Sequence, residues 1–133
     1  MIHLLDSNSC IDHLRNGPAS KVTEKLIAAP PGIIAVCSIV VAELIYGAYL
    51  SSQPARNLQE ASTFCGQFPS LPFDDLAAGE YGRIRAHLAT LGTSIGPNDL
   101  LIAAIAVAHD LILVTHNTRE FGRVPGLQIE DWQ

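Results

Sequence analysis

The chain has 133 residues, 48% of them hydrophobic, with 8 Lys and Arg against 13 Asp and Glu. That length suits one domain spanning residues 1–133, which buries roughly two-thirds of the surface its unfolded form exposes. The formal net charge of −5 argues against a protein that holds nucleic acid by broad electrostatics alone, so a nucleic-acid partner would require metal ions or a local basic patch.

The cysteines are Cys10, Cys37 and Cys65, an odd and widely spaced set among mostly apolar neighbours. Neither a disulfide framework nor a zinc site with C-x-x-C spacing is expected, and a reducing cytoplasm fits. No basic segment followed by an apolar one opens the chain, and charge breaks each long apolar run, at Glu43 and at His109-Asp110. The expectation is a soluble, unexported protein with no membrane partner.

In chain order, "IHLL" (2–5) is a short apolar run that ends at Asp6, and "SNSCIDHLRNG" follows with a Ser/Asn start and a Gly stop. That is a strand and then a helix. "ASKVTEKLIAA" predicts a second helix, closed by Pro30-Pro31. "IIAVCS" (33–38) is rich in β-branched residues, and Ser38 is placed to cap the helix "IVVAELIYGAYLSS" that follows.

"PARNLQEASTFCGQF" predicts a helix, "LPF" a minimal strand, and "DLAAGEYGRIRAHLATLG" a helix started by Asp74 or Asp75 and stopped by Gly92. After the loop "LGTSIG", Pro97 suits the first position of a helix over 97–109, "LILVT" (111–115) is a strand, and "LQIEDW" ends the pattern as a short strand. Helices alternating with short apolar strands predict an α/β domain whose parallel sheet is covered on both faces.

In such sheets the binding crevice lies beyond the carboxyl ends of the strands. Asp6 stands at one strand exit, Glu43 on the helix after the second strand, and Asp99 in the first turn of its helix. The strand "LILVT" delivers His116, Asn117 and, a turn later, Glu120 to the same edge. Carboxylates gathered from distant parts of a chain repel one another unless cations neutralise them. Oxygen-only ligands favour Mg²⁺ or Mn²⁺ over zinc, and such a site serves in-line displacement at phosphorus. On the residues alone, a metal-dependent phosphodiesterase or phosphatase follows.

Plainer roles compete. Asp99 and Asp6 can each cap a helix. Glu43, flanked by Val40, Val41, Ala42, Leu44 and Ile45, has no evident polar face, and a buried unpaired carboxylate is expensive; a buried pair with an arginine is its structural alternative. Asp74 and Asp75 read as caps, and Asp12, Glu24, Glu60 and Glu80 as solvated faces. His3, His13, His87 and His109 lack ligand spacing, and His116 with Glu120 makes only a weak i, i+4 pair. The serines lack G-x-S-x-G context.

Together, "LLDSN" with Asp6, "AELIYGA" with Glu43, "GPNDLLIAAIAVAHDLILVTHNTREF" with Asp99, and "VPGLQIEDW" resemble the PIN-domain family from Ile2 to Trp132. Within it they are similar to the VapC ribonuclease toxins of bacterial toxin–antitoxin pairs. The resemblance implies a three-layer α/β/α fold with a mostly parallel central sheet, an Mg²⁺ or Mn²⁺ site, and endonucleolytic RNA cleavage that stops translation. By resemblance Asp6 and Asp99 are the principal metal ligands and Glu43 the third acid. Where many relatives carry a further Asp, this chain has Asn117, so Glu120 is expected to supply the missing charge.

Asp99, at the positive end of its helix dipole, is expected to favour the ionised form. Asn8, Thr115 and Asn117 are expected to hydrogen-bond around the ligands, Ser7 less so. Arg83, Arg85, Arg119 and Arg123 are the expected phosphate contacts. "ELIYGA", "RNLQ", "IRAHLATLG" and "THNTREFGRVPGL" resemble the enterobacterial-type toxins, which implies transfer RNA, with initiator tRNA cut in the anticodon loop. The resemblance also implies a VapB-type antitoxin partner and a homodimer inside a larger toxin–antitoxin complex. Two rivals remain: a haloacid-dehalogenase-like phosphatase, from the D-x-D echo in "DSNSC" with Asn8 at the second acid, and a catalytically inactive PIN-like binding module.

Overall fold

The computed structural model describes residues 1–133. Its five strands form one parallel sheet in the order β3-β2-β1-β4-β5. They are β1 (His3–Leu5), β2 (Ile34–Cys37), β3 (Ser70–Leu71), β4 (Ile112–Val114) and β5 (Ile129–Glu130). The expected "mostly parallel" sheet is parallel at every pairing. All four residues of β2 are buried, which requires cover on both faces and explains the unbroken apolar runs in the strands.

Seven helices supply that cover: α1 (Ser7–Asn16), α2 (Lys21–Ala28), α3 (Ser38–Leu50), α4 (Pro54–Cys65), α5 (Asp75–Thr90), α6 (Pro97–Ala108) and α7 (Thr118–Phe121). Helix α3 packs on α4, and α5 on α6. Five consecutive residues of α6, Ile102 to Ala106, are buried, so this helix is enclosed on all sides, as its low polarity requires. One hydrophobic core runs from Leu4 to Trp132.

The helix ends follow local chemistry. Asp74 caps α5 by accepting from the Ala77 N–H at 3.0 Å. At its other end Gly92 takes φ +67°, and its N–H and that of Thr93 return to the carbonyls of Ala89 and Leu88, a Schellman closure. Ser38 does not cap α3: it is the first helical residue, and Cys37 occupies the cap position. The β2 ladder reaches Cys37, so the backbone turns one residue earlier than the serine suggests.

The chain builds outward from β1 through β2 to β3, then returns across β1 to lay down β4 and β5. Leu5 pairs with Val114, so the carboxyl ends of β1 and β4 lie side by side at the point where the winding reverses. Two chain exits diverge there and leave a crevice between them. Residues 6 and 115–117 border it.

Helix α7 was not legible in the sequence, because four residues carry no period. Phe121 anchors it, 1% exposed in the core. Phe121→Ala should therefore destabilise the fold by about 3–5 kcal/mol, read as a lower urea midpoint at unchanged m-value; a loss under 1 kcal/mol would mean that α7 is not held by this side chain.

Candidate active site

Asp6 is the first residue after β1 and caps α1, its Oδ1 accepting from the Ser9 N–H at 2.9 Å. The cap reading is therefore correct, and it does not exhaust the residue. Oδ2 accepts from the hydroxyl of Thr115, 2.5 Å away on the exit of β4. The Ser9 hydroxyl donates to the Val114 carbonyl at 3.2 Å, and Thr115 Oγ1 accepts from the Asn117 N–H at 3.0 Å. Strand, helix and loop are thus stitched together around a carboxylate that is only 4% exposed. Burial pushes the Asp6 carboxyl above its ordinary range, opposed by the bonds from Thr115 and Ser9 and reinforced by the charge of Glu43.

Asp99 is the third residue of α6, behind Gly96 at the cap position and Pro97. No side chain caps this helix, so capping does not account for Asp99. Its carboxyl is pushed up to about 6, first by burial and then by the charges of Glu120, Glu43 and Asp6, with the amide of Asn117 acting the other way. The helix dipole was expected to hold Asp99 ionised. Desolvation and three like charges outweigh it, because a dipole end carries only about half a charge.

Glu43 sits on the second turn of α3 and accepts from the Ser7 hydroxyl at 2.5 Å. It is half-buried, and neither the buried lone carboxylate nor the arginine pair expected of it is present. The apolar neighbours misled because α3 exposes apolar residues: Tyr46 and Tyr49 are 65% exposed and Leu50 is 69% exposed. Glu120 on α7 accepts from the Asn117 amide at 2.6 Å, and the same nitrogen reaches Asp99 Oδ2 at 3.5 Å. Asn117 thus sits between two acids as a donor, which an aspartate could not do.

Four carboxylates, from the exit of β1 and from α3, α6 and α7, therefore share one electrostatic neighbourhood, in which Glu120, Glu43 and Asp6 each act on Asp99. No group of three His, Cys, Asp or Glu side chains is close enough to hold an ion as placed; Glu43 and Glu120 are drawn to Ser7 and Asn117. The donor chemistry nonetheless fits a hard divalent cation: every member offers oxygen, and the mutual repulsion that raises Asp99 is what such a cation relieves.

Of the supporting residues, Thr115, Asn117 and Ser7 bond directly to the acids. Asn8 instead lines an adjoining cleft. Ser9 was missed, although its place three residues after a strand-end Asp is the usual N3 capping signal. Arg15 was missed too; at i+7 from Asn8 it shares a helix face with it, and both line that cleft.

The expected phosphate contacts are dispersed. Arg83 is paired with Glu80, Arg85 donates to the Tyr81 hydroxyl, and Arg123 donates to the Ser94 carbonyl. Arg119 lies on α7 beside Glu120 and is exposed. His116 pairs with Asp131 rather than Glu120.

The profile of the PIN domain matches residues 3–127. The chain is 45% identical over 129 residues, 97% of its length and 96% of the relative's, to the tRNA(fMet)-specific endonuclease VapC of Shigella flexneri. It superimposes on a chain of the DNA-bound VapBC structure from Salmonella typhimurium with a TM-score of 0.94 at 41% identity, covering 100% and 99% of the two chains. The VapBC2 structure from Rickettsia felis, bound to a DNA fragment from its promoter, gives 0.92 at 36% identity over 100% of both.

The raised Asp99 carboxyl has a consequence for stability. Between the unfolded value of 3.8 and the folded value of about 6 the unfolded chain ionises first, so stability falls as pH rises through this window and the cost is complete above it. Asp99→Asn removes that cost. In EDTA at neutral pH it should stabilise the protein by about 1 kcal/mol after allowance for screening at this half-exposed site, with little gain at pH 3.5; equal effects at both pH values would show that Asp99 carries no such strain.

Proposed function

This chain belongs to the PIN-domain family, and within it to the VapC ribonucleases; on that premise we propose that it is a metal-dependent endoribonuclease toxin of a type II toxin–antitoxin pair. The observation that carries the reading is the convergence of Asp6, Glu43, Asp99 and Glu120 at the reversal of the sheet, where burial, reinforced by the charges of the other three acids, lifts Asp99 to about 6. The 133 residues act as a single domain, and the RNA substrate is transfer RNA, in keeping with the tRNA(fMet) specificity in the name of the Shigella relative. The partner is a VapB-type antitoxin, as the VapBC complexes of the Salmonella and Rickettsia relatives support. No helix is long and apolar enough to cross a membrane.

Asp6 and Asp99 would hold the cation, Mg²⁺ or Mn²⁺, with Glu43 as the third acid. Bound there, a divalent ion neutralises charge developing on the phosphoryl oxygens and lowers the pKa of an attacking water. The chain's own contribution is positional. Thr115 and the Ser9 N–H fix both oxygens of Asp6, so its carboxylate does not need to be ordered when substrate arrives. Glu120 is held by Asn117 through Oε2 and Glu43 by Ser7 through Oε1. In each case the other oxygen is free to orient the water; one of the two acids would take its proton as the new P–O bond forms, while the scissile P–O bond breaks and the leaving ribose oxygen takes a proton from solvent. Arg119 and Arg123 stand one residue before and three after Glu120 in the chain; Arg119 would be the cation free to meet RNA phosphate on that side, Arg123 being bonded to the Ser94 carbonyl.

Among the rivals, the phosphatase reading takes only Asp6 and leaves Glu43, Asp99 and Glu120 without a role. An inactive binding module leaves unexplained why four acids are retained where they repel one another.

Purified protein mixed with total tRNA should cleave it with Mg²⁺ or Mn²⁺ and not with EDTA. Asp6→Asn and Asp99→Asn should each slow cleavage at least about 100-fold, some 3 kcal/mol of barrier; an Asp99→Asn variant as active as the parent overturns the assignment. Glu120→Gln should lose activity that Asn117→Asp restores in the double variant, if a fourth negative charge is what the site requires. Failure of that rescue would assign Glu120 a role beyond its charge.

A further inference from the structure

Beside the acids lies a second feature that the reaction as described does not use. A cleft of about 460 Å³ opens between α1, the exit of β4 and the end of the chain, lined by Asn8, Ile11, Asp12, Arg15, His116 and Asn117 among others. Its volume is in the range of small-molecule sites, and Ile11 is its only apolar lining residue. Asn117 belongs both to this cleft and to the acid cluster, since its amide bonds Glu120 at 2.6 Å. The cleft therefore begins where the acids end.

The hydrogen-bonding state of the lining shows which groups are free. Asp12 accepts the Asn16 amide on one oxygen at 2.9 Å and the hydroxyl of Ser20 on the other, which holds its carboxylate against the wall of the cleft. His116 uses Nδ1 on Asp131 at 2.9 Å, leaving Nε2 and a 64% exposed ring. The Asn8 side chain makes no hydrogen bond within the protein and is exposed, as is Arg15. Of the six arginines, Arg56, Arg83, Arg85 and Arg123 are each tied to a neighbouring side chain or carbonyl; Arg15 and Arg119 are not. In a chain of net charge −5, an unpaired guanidinium lining this cleft, and also the neighbouring pocket that Glu43 lines, is a cation beside the acids with no carboxylate partner of its own.

A free amide, a flat ring and a guanidinium in one polar cleft match the parts of a single-stranded nucleotide. The amide meets the edge of a base, the ring its face, and the guanidinium a phosphate. The geometry points to this cleft as the subsite for the unpaired nucleotide next to the scissile phosphate, with Arg15 on the flanking phosphate and Asn8 and His116 on the base. The inference rests on the ribonuclease reading for the position of the scissile phosphate, and it names what holds the RNA in register there. Arg15 is a positioning residue: it lies outside the acids and acts by anchoring the strand.

The test separates binding from cleavage. Affinity for 5′-fluorescein-labelled hexaadenosine and hexauridine RNA is read by anisotropy in EDTA, where cleavage is off, for the parent, Arg15→Gln, Asn8→Ala and Arg83→Gln. Arg15→Gln should weaken binding about 10-fold and flatten the plot of log affinity against log salt by about 0.7, the loss of one phosphate contact to a single strand. Asn8→Ala should narrow the difference between the two oligomers, and Arg83→Gln should change neither quantity. With Mn²⁺, Arg15→Gln should raise KM for RNA while hydrolysis of bis(p-nitrophenyl) phosphate, which has no flanking nucleotide, stays at the parental rate. Unchanged affinity and salt slope in Arg15→Gln, or an equal loss in Arg83→Gln, would overturn the subsite even if tRNA is cleaved. Loss of affinity in Arg15→Gln with no metal-dependent cleavage by the parent would instead keep the subsite and remove the ribonuclease reading.

Discussion

The hydrogen bond from Thr115 to Asp6, 2.5 Å long and fully buried, joins two residues that are 109 positions apart and adjacent only because β1 and β4 are neighbours in the sheet. Everything at the site depends on that adjacency. Asp6 is the first residue after the first strand and Thr115 the first after the fourth, and the crevice between their exits is where α1 and α7 begin. The bond also explains how a carboxylate can be buried without a cationic partner: it receives a hydroxyl on one oxygen and a backbone N–H on the other, which offsets much of the desolvation cost. Thr115 in turn accepts from the N–H of Asn117, so the loop carrying the second half of the site is hung from the same atom.

From this anchor the site divides into a rigid and an adjustable part. Asp6 is immobilised, whereas Glu43 and Glu120 are each held through one oxygen by a single flexible neighbour, Ser7 or Asn117. Asp99 is the most strained, with burial and three like charges all acting against ionisation. The core is large enough to carry that strain: α6, which bears Asp99, is buried from Ile102 to Ala106 and cannot move away from the other acids without exposing its apolar surface. Conflict between local preference and global fold is expected at functional sites, and here it is confined to one edge of the sheet.

The same residues show how ambiguous a local signal can be. Asp6 and Asp99 both stand where a helix starts, and in sequence both read equally well as caps. The structure separates them: Asp6 caps α1 and faces the crevice as well, while Asp99 lies three residues past Gly96 and caps nothing. Glu43 failed in the opposite direction. An acid among apolar residues suggested burial, yet α3 leaves Tyr46, Tyr49 and Leu50 exposed, so apolar neighbours did not mean a buried face.

What the sequence by itself determined is the set of properties with a local period or a local cap. These are the short apolar strands alternating with helices, the Asp74 cap, the Gly92 closure, and the arrival of Asp6, Glu43 and Asp99 after successive strands. Backbone sterics and side-chain periodicity act over a few residues, so a few residues suffice to reveal them. Only the tertiary structure decided the strand order β3-β2-β1-β4-β5, and with it which exits meet. That order fixed Thr115 on Asp6, placed Asn117 between Asp99 and Glu120, and turned Asn8 and Arg15 into the wall of a cleft beside the acids. Thr115–Asp6 and Asn117–Asp99 join residues 109 and 18 positions apart, and the energies of such contacts depend on distance and burial, which no local pattern encodes.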